Sequence, residues 1–94
     1  MNDSSVYHGS LKNSMMHGKG VYIWADGRRY VGEYAYDVKN GEGTYYWPDG
    51  KQYTGEWMGG VQHGKGIFTN EKSVSRKGIW KNGNRIKWIS QDFY

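Results

Sequence analysis

Tyr7, Tyr30 and Tyr53 stand 23 residues apart, and the chain keeps that step without an insertion or deletion. Gly9, Gly32, Gly55 and Gly78 follow it, as do Leu11, Tyr34, Trp57 and Trp80. So do Gly18, Gly41 and Gly64, then Gly20, Gly43 and Gly66, then Tyr22, Tyr45 and Phe68. Trp24 and Trp47 continue the pattern until Asn70 takes the third place. A fixed period of this size means one supersecondary unit stacked on its own copies. Each unit then touches only its neighbours, which predicts an elongated surface instead of a globule around a deep pocket.

Within the middle copy, Tyr30 to Ala35 alternates, and Gly43 to Trp47 is short, aromatic and rich in strand formers. Both segments read as strands. The stretch from Tyr36 to Glu42 reads as a hairpin loop, and Pro48-Asp49-Gly50 reads as a tight turn returning the chain to the next copy. The expected fold is all-β: an antiparallel meander of 23-residue hairpins forming an elongated, twisted single-layer sheet. The organisation is one domain over residues 1–94, with repeats at 7–29, 30–52 and 53–75 and an atypical capping hairpin at 76–89. There Asn82-Gly83 signals the turn. Residues 1–5 and 90–94 are expected to fray or to meet a partner.

Any core must be built from rings, because the chain has nine Tyr, five Trp and two Phe but few aliphatics. Side chains alternate across a strand, so Tyr30, Gly32 and Tyr34 share a face, as do Gly43, Tyr45 and Trp47. Glycine opposite an aromatic residue on the neighbouring strand offers a seat for the ring. Twist should curl the sheet into a trough lined by Tyr22, Trp24, Tyr30, Tyr34 and Tyr45, and by Trp47, Tyr53, Trp57, Phe68 and Trp80. Tyr and Trp dominate interface hot spots, so this trough is the expected binding groove for a partner polypeptide, a peptide or a helix.

The net charge of +4 is concentrated near the end of the chain. Lys72, Arg76, Lys77, Lys81, Arg85 and Lys87 have only Glu71 against them there. They form a solvated face or a patch for an anionic partner, such as a phospholipid surface. The first strand, near Tyr7 to Leu11, has only Lys12 to guard it, so a homo-oligomer through an edge strand would use that end.

Enzymatic and cofactor chemistry finds little footing. There is no Cys for a thiolate nucleophile, zinc site or disulfide. Gly59 to Gly66 comes close to a P-loop, but Gly66 stands where a magnesium-binding hydroxyl belongs and no helix follows. His17 and His63 are two repeats apart, roughly 19 Å at the usual strand spacing, too far to share a metal. Glu33 and Glu56 recur on a strand and are expected to meet a cross-strand Lys or Arg. The basic residues do not interleave with the rings, which argues against single-stranded nucleic acid. No cofactor or metal is expected. Without a signal-peptide run or a membrane-spanning stretch, the expected setting is cytoplasmic, in association with cytoskeleton or membrane.

Tyr30-Val31-Gly32-Glu33-Tyr34, Asn40-Gly41-Glu42-Gly43 and Trp47-Pro48-Asp49-Gly50 together resemble the MORN repeat (membrane occupation and recognition nexus). Tyr53-Thr54-Gly55-Glu56-Trp57 with His63-Gly64-Lys65-Gly66 is similar to it as well. The resemblance covers residues 7 to 85. It implies twisted sheets of hairpins that serve as scaffolding and interaction elements in ciliary, cytoskeletal and junctional membrane assemblies, with phospholipid binding the historical attribution. Ser10 and Leu11 depart from the pattern in the first copy, and Lys72-Ser73 lacks the Asp-Gly turn in the third.

Overall fold

The computed structural model describes residues 4–89. Apart from Ser4 and Ser5, which precede the first strand, the expectation for the two termini lies outside the described residues. The strands are β1 (Val6–Lys12), β2 (Met15–Ile23), β3 (Arg29–Ala35), β4 (Val38–Tyr46), β5 (Gln52–Met58), β6 (Val61–Thr69), β7 (Ser75–Lys81) and β8 (Asn84–Trp88). They form one open sheet in sequence order, every neighbouring pair antiparallel. The described residues extend over 44 × 25 × 20 Å.

Two kinds of turn alternate. Between the strands of a hairpin the turn has two residues, both left-handed: Asn13-Ser14, Tyr36-Asp37, Gly59-Gly60 and Asn82-Gly83. That backbone matches the twist of the strands it joins. The loop expected over Tyr36 to Glu42 is therefore only its first two residues, and the rest belongs to β4. What reads as loop chemistry at Asn40-Gly41-Glu42 is a β-bulge, where the register slips between Gly32 and Tyr34 and Gly41 takes a φ of 96°.

Between hairpins the turn has three residues. Trp47 N–H donates to the Lys51 carbonyl at 2.9 Å and Gly50 N–H to the Trp47 carbonyl at 3.1 Å, with Gly50 left-handed. The third copy keeps this geometry despite losing Asp-Gly: Ser73 adopts a φ of 66° and its N–H donates to Asn70 at 2.9 Å. Asn70 Oδ1 accepts from the Lys72 and Val74 amides, where Asp26 and Asp49 accept from Arg28 and Lys51 in the earlier copies.

Successive hairpins lock at their tips. The Asp37 amide donates to the Met16 carbonyl, Gly60 to Lys39 and Gly83 to Gln62, at 2.8, 2.9 and 2.9 Å. These contacts repeat at the 23-residue step and fix each unit on the one before.

The glycines form a row across the sheet. Gly9 pairs with Gly20, Gly20 with Gly32, Gly32 with Gly43, and so on to Gly78. Glycine therefore faces glycine, and the seat expected opposite an aromatic residue is diagonal. The Tyr30 ring leans from β3 over Gly43, Tyr53 over Gly66 and Tyr7 over Gly20, so that a Cβ at any of these glycines would run into the ring. Each ring is pinned at its far end, the hydroxyls of Tyr7, Tyr30 and Tyr53 donating to the carbonyls of Ser10, Glu33 and Glu56.

Candidate functional site: the aromatic face

The aromatic face carries two rows of rings with different roles. The inner row runs Tyr7, Tyr34, Tyr30, Trp57, Tyr53, Trp80, Trp88, each ring edge-on to the next at centroid separations of 4.7 to 6.1 Å. Edge-to-face contact sets the positive rim of one ring against the negative face of another. Tyr34, Trp57 and Trp80 act as wedges, each touching a leading tyrosine of the preceding repeat. Tyr30 and Tyr53 have no exposed surface, and Tyr34, Trp57 and Trp80 retain 5 to 6%. A single sheet buries side chains this deeply only by curling around them. The trough is therefore filled by its own rings, and these five expected groove residues form the core together with a sixth, Tyr45.

Burial acts on the phenols. Desolvation raises the ionisation of Tyr30, Tyr34 and Tyr53 above the ordinary tyrosine value, Tyr53 to about 12. The indole N–H of Trp57 is satisfied by the Gly43 carbonyl at 3.1 Å.

The outer row consists of Tyr22, Trp24, Tyr45, Trp47 and Phe68, tilted against one another at 4.6 to 6.3 Å. Tyr45 is buried, while Tyr22, Trp24, Trp47 and Phe68 are only partly so. The row stops at Phe68 because Asn70 replaces the third tryptophan. Tyr22, Trp24, Trp47 and Phe68 are thus the part of the expected groove that keeps exposed surface.

A cation sits in this face that sequence reasoning missed. The Lys39 ammonium lies 5.6 to 5.9 Å from the ring centroids of Trp24, Tyr30, Tyr45 and Trp57. Burial, with the Arg28 charge nearby, lowers its pKa from the ordinary lysine value. Ring quadrupoles replace part of its lost hydration. Neither of the ion pairs among the described residues, Arg28–Asp26 and Lys51–Asp49, involves it. The Arg28 guanidinium stacks 5.0 Å from the Trp24 centroid and donates to the Tyr45 hydroxyl at 3.2 Å. Met16 and Gln62 fill the Lys39 place in the other copies, which was the available signal.

The carboxylates behave differently from expectation. Glu33 Oε1 accepts from the Glu42 amide at 2.9 Å and Glu56 Oε2 from the Lys65 amide at 3.3 Å. They cap the amides of the bulges instead of meeting Lys or Arg, since a bulge leaves an amide without its ladder partner. His17 Nδ1 accepts from the Tyr36 amide at 3.3 Å. Among the described residues no group of three or more His, Asp or Glu is arranged to hold a metal ion.

The six basic residues near the end of the chain do not make one surface. Arg76 pairs with Phe68 and Arg85 with Trp80, which puts both on the aromatic face. Their guanidinium carbons lie 4.3 and 4.4 Å from the Trp88 centroid. Lys77 and Lys87 pair with Ile67 and Ile79, and strand alternation puts them, with Lys81, on the other face. Lys72 lies in the turn before β7.

The sequence model of the MORN repeat matches three consecutive stretches, residues 7–28, 30–52 and 53–72. The chain belongs to the MORN repeat family. MORN repeats are a non-enzymatic module that generally takes part in protein or membrane interactions. No curated protein matches the chain. In MORN terms, the leading Tyr-x-Gly of each copy supplies a core ring and a link in the glycine row. The variable positions, Lys39 and Asn70 among them, individualise the surface.

Proposed function

We propose that this MORN chain is a non-catalytic adaptor whose outer ring row binds a partner polypeptide within a cytoplasmic assembly of cytoskeletal, ciliary or membrane-associated type. The observation that carries this reading is the contiguous stripe of Tyr22, Trp24, Trp47 and Phe68, half-buried and set beside the Lys39 cation. Large rings held rigidly by the sheet supply contact area at little conformational cost, which is the make-up of interface anchors. The stripe suits an extended or helical segment laying an apolar edge along it.

Affinity capture with the full chain, comparing wild type with Trp47→Ala, tests the reading. A bound protein that is lost from the folded variant and retained by Lys81→Ala supports it. A bound set that Trp47→Ala leaves unchanged contradicts it.

The alternative partner, an anionic phospholipid surface at the basic end, is less well supported. A membrane selects cations that face it together, and Arg76 and Arg85 are stacked on Trp88 while Lys77 and Lys87 leave from the other face. Co-sedimentation with vesicles containing phosphatidylserine separates the readings, because the adaptor stays in the supernatant.

A further inference from the structure

Among the described residues the sheet ends at two edge strands, β1 and β8, and they are built differently. At β8 the glycine row ends on Trp88, which stands opposite Gly78 and is clasped by Arg76 and Arg85. β8 is five residues long and carries Arg85 and Lys87. Trp88 thus stands where β2, β4 and β6 carry Gly20, Gly43 and Gly66, and the glycine row stops at β7.

Among the described residues nothing comparable closes the sheet at β1. Gly9, the first of the row, is exposed. The inner ring row ends at Tyr7, and Leu11, which holds the place of the wedges Tyr34, Trp57 and Trp80, is 63% exposed. Val6 is 43% exposed. The strand contains no Pro and no internal charge, with Lys12 at its end. Long, uncharged edges of this kind are templates for strand pairing.

We propose that two copies of this chain pair antiparallel through β1, about a two-fold axis at Gly9. Gly9 is the middle residue of the seven in Val6–Lys12, so this register gives every position of the strand a counterpart. Gly9 meets Gly9 of the partner subunit, and the glycine row runs unbroken through both sheets. Tyr7 meets Leu11 of the partner subunit, giving that exposed leucine the kind of ring that Tyr34 finds in Tyr7 at 5.6 Å within one chain. His8 meets Ser10, and Val6 meets Lys12, so no like charges stand opposite each other. A register centred on one residue also brings outward-pointing backbone groups of one strand to outward-pointing groups of the other. The contact is isologous and closes on itself, giving a dimer and no fibre.

Sedimentation equilibrium of the full chain over a concentration series reads the assembly. The expected result is a dimer that Leu11→Lys weakens at least about tenfold and that Trp88→Ala leaves intact. Leu11 is exposed in the single chain, so its replacement spares the fold, which circular dichroism verifies. A monomer at every concentration overturns the proposal, as does a dimer lost in folded Trp88→Ala but kept in Leu11→Lys. Because the chain has no Cys, the register can be read directly. Mixed His8→Cys and Ser10→Cys chains should oxidise mainly to the hetero-linked pair, and preferential linking of like variants would refute the axis at Gly9.

Discussion

The Tyr30 hydroxyl donates to the Glu33 carbonyl three residues ahead at 2.8 Å, and in reaching it the ring crosses to the adjacent strand and covers Gly43. One residue thereby ties its own strand, occupies the space over its neighbour and offers an edge to Tyr34 and Trp57. The same arrangement at Tyr7 and Tyr53 explains why a leading tyrosine and a glycine row share the period.

Gly43→Ala should therefore destabilise the fold by about 1–3 kcal/mol, although alanine is the better strand residue of the two. The three atoms nearest the new Cβ all belong to Tyr30. In a Tyr30→Ala background the cost of Gly43→Ala should nearly vanish, which a double-mutant cycle in denaturant reads directly. Equal costs in both backgrounds would separate the glycine from the ring.

Ser73 holds a left-handed conformation that Gly27 and Gly50 hold in the other copies. Ser73→Gly should raise stability by about 0.5–1 kcal/mol, since glycine takes positive φ without the steric penalty of a Cβ. Asn70→Ala should act oppositely, by about 1 kcal/mol, because the Lys72 and Val74 amides lose their acceptor. Urea midpoints of the two variants, moving in opposite directions from wild type, check the turn.

Burial holds the phenols of Tyr30, Tyr34 and Tyr53 neutral beyond the pH at which an unfolded tyrosine, near 10.0, ionises. The folded state then keeps protons that the unfolded state releases. Stability is full below pH 10.0 for these groups and falls as pH rises from there toward about 12, where Tyr53 ionises in place. Alkaline titration followed by circular dichroism and phenolate absorbance should show their ionisation arriving together with loss of structure. Early ionisation of all the tyrosines in an intact sheet would contradict their burial.

Much of this was legible in the residues. The 23-residue recurrence of Tyr7, Gly9 and Gly20 requires stacked hairpins, and alternation correctly assigns Tyr30, Gly32 and Tyr34 to one face. Period two states which face a side chain leaves from, but not how far the sheet closes over it. Tyr45 and Trp47 therefore look alike in sequence, while one is buried and the other half-exposed. Tyr36-Asp37 gives little sign of being a left-handed pair, so the bulge at Asn40-Gly41-Glu42 passes for the turn. Glu33 reads as an ion-pair residue because its acceptor role exists only once the bulge has freed the Glu42 amide. Lys39 is hidden for a related reason: only the curl of the sheet brings four rings around its ammonium.

One aromatic face is divided between an inner row that holds the fold and an outer row that stays partly exposed, along which we propose a partner binds. The most direct measurement is the unfolding free energy of Trp57→Ala against that of Trp47→Ala, in matched denaturant titrations. Trp57 is 6% exposed and wedged between Tyr30 and Tyr53, so its loss should cost about 3–5 kcal/mol. Trp47 touches Tyr45 and Phe68 from the partly open side, and its loss should cost about 1 kcal/mol. Equal costs for the two tryptophans would contradict the division.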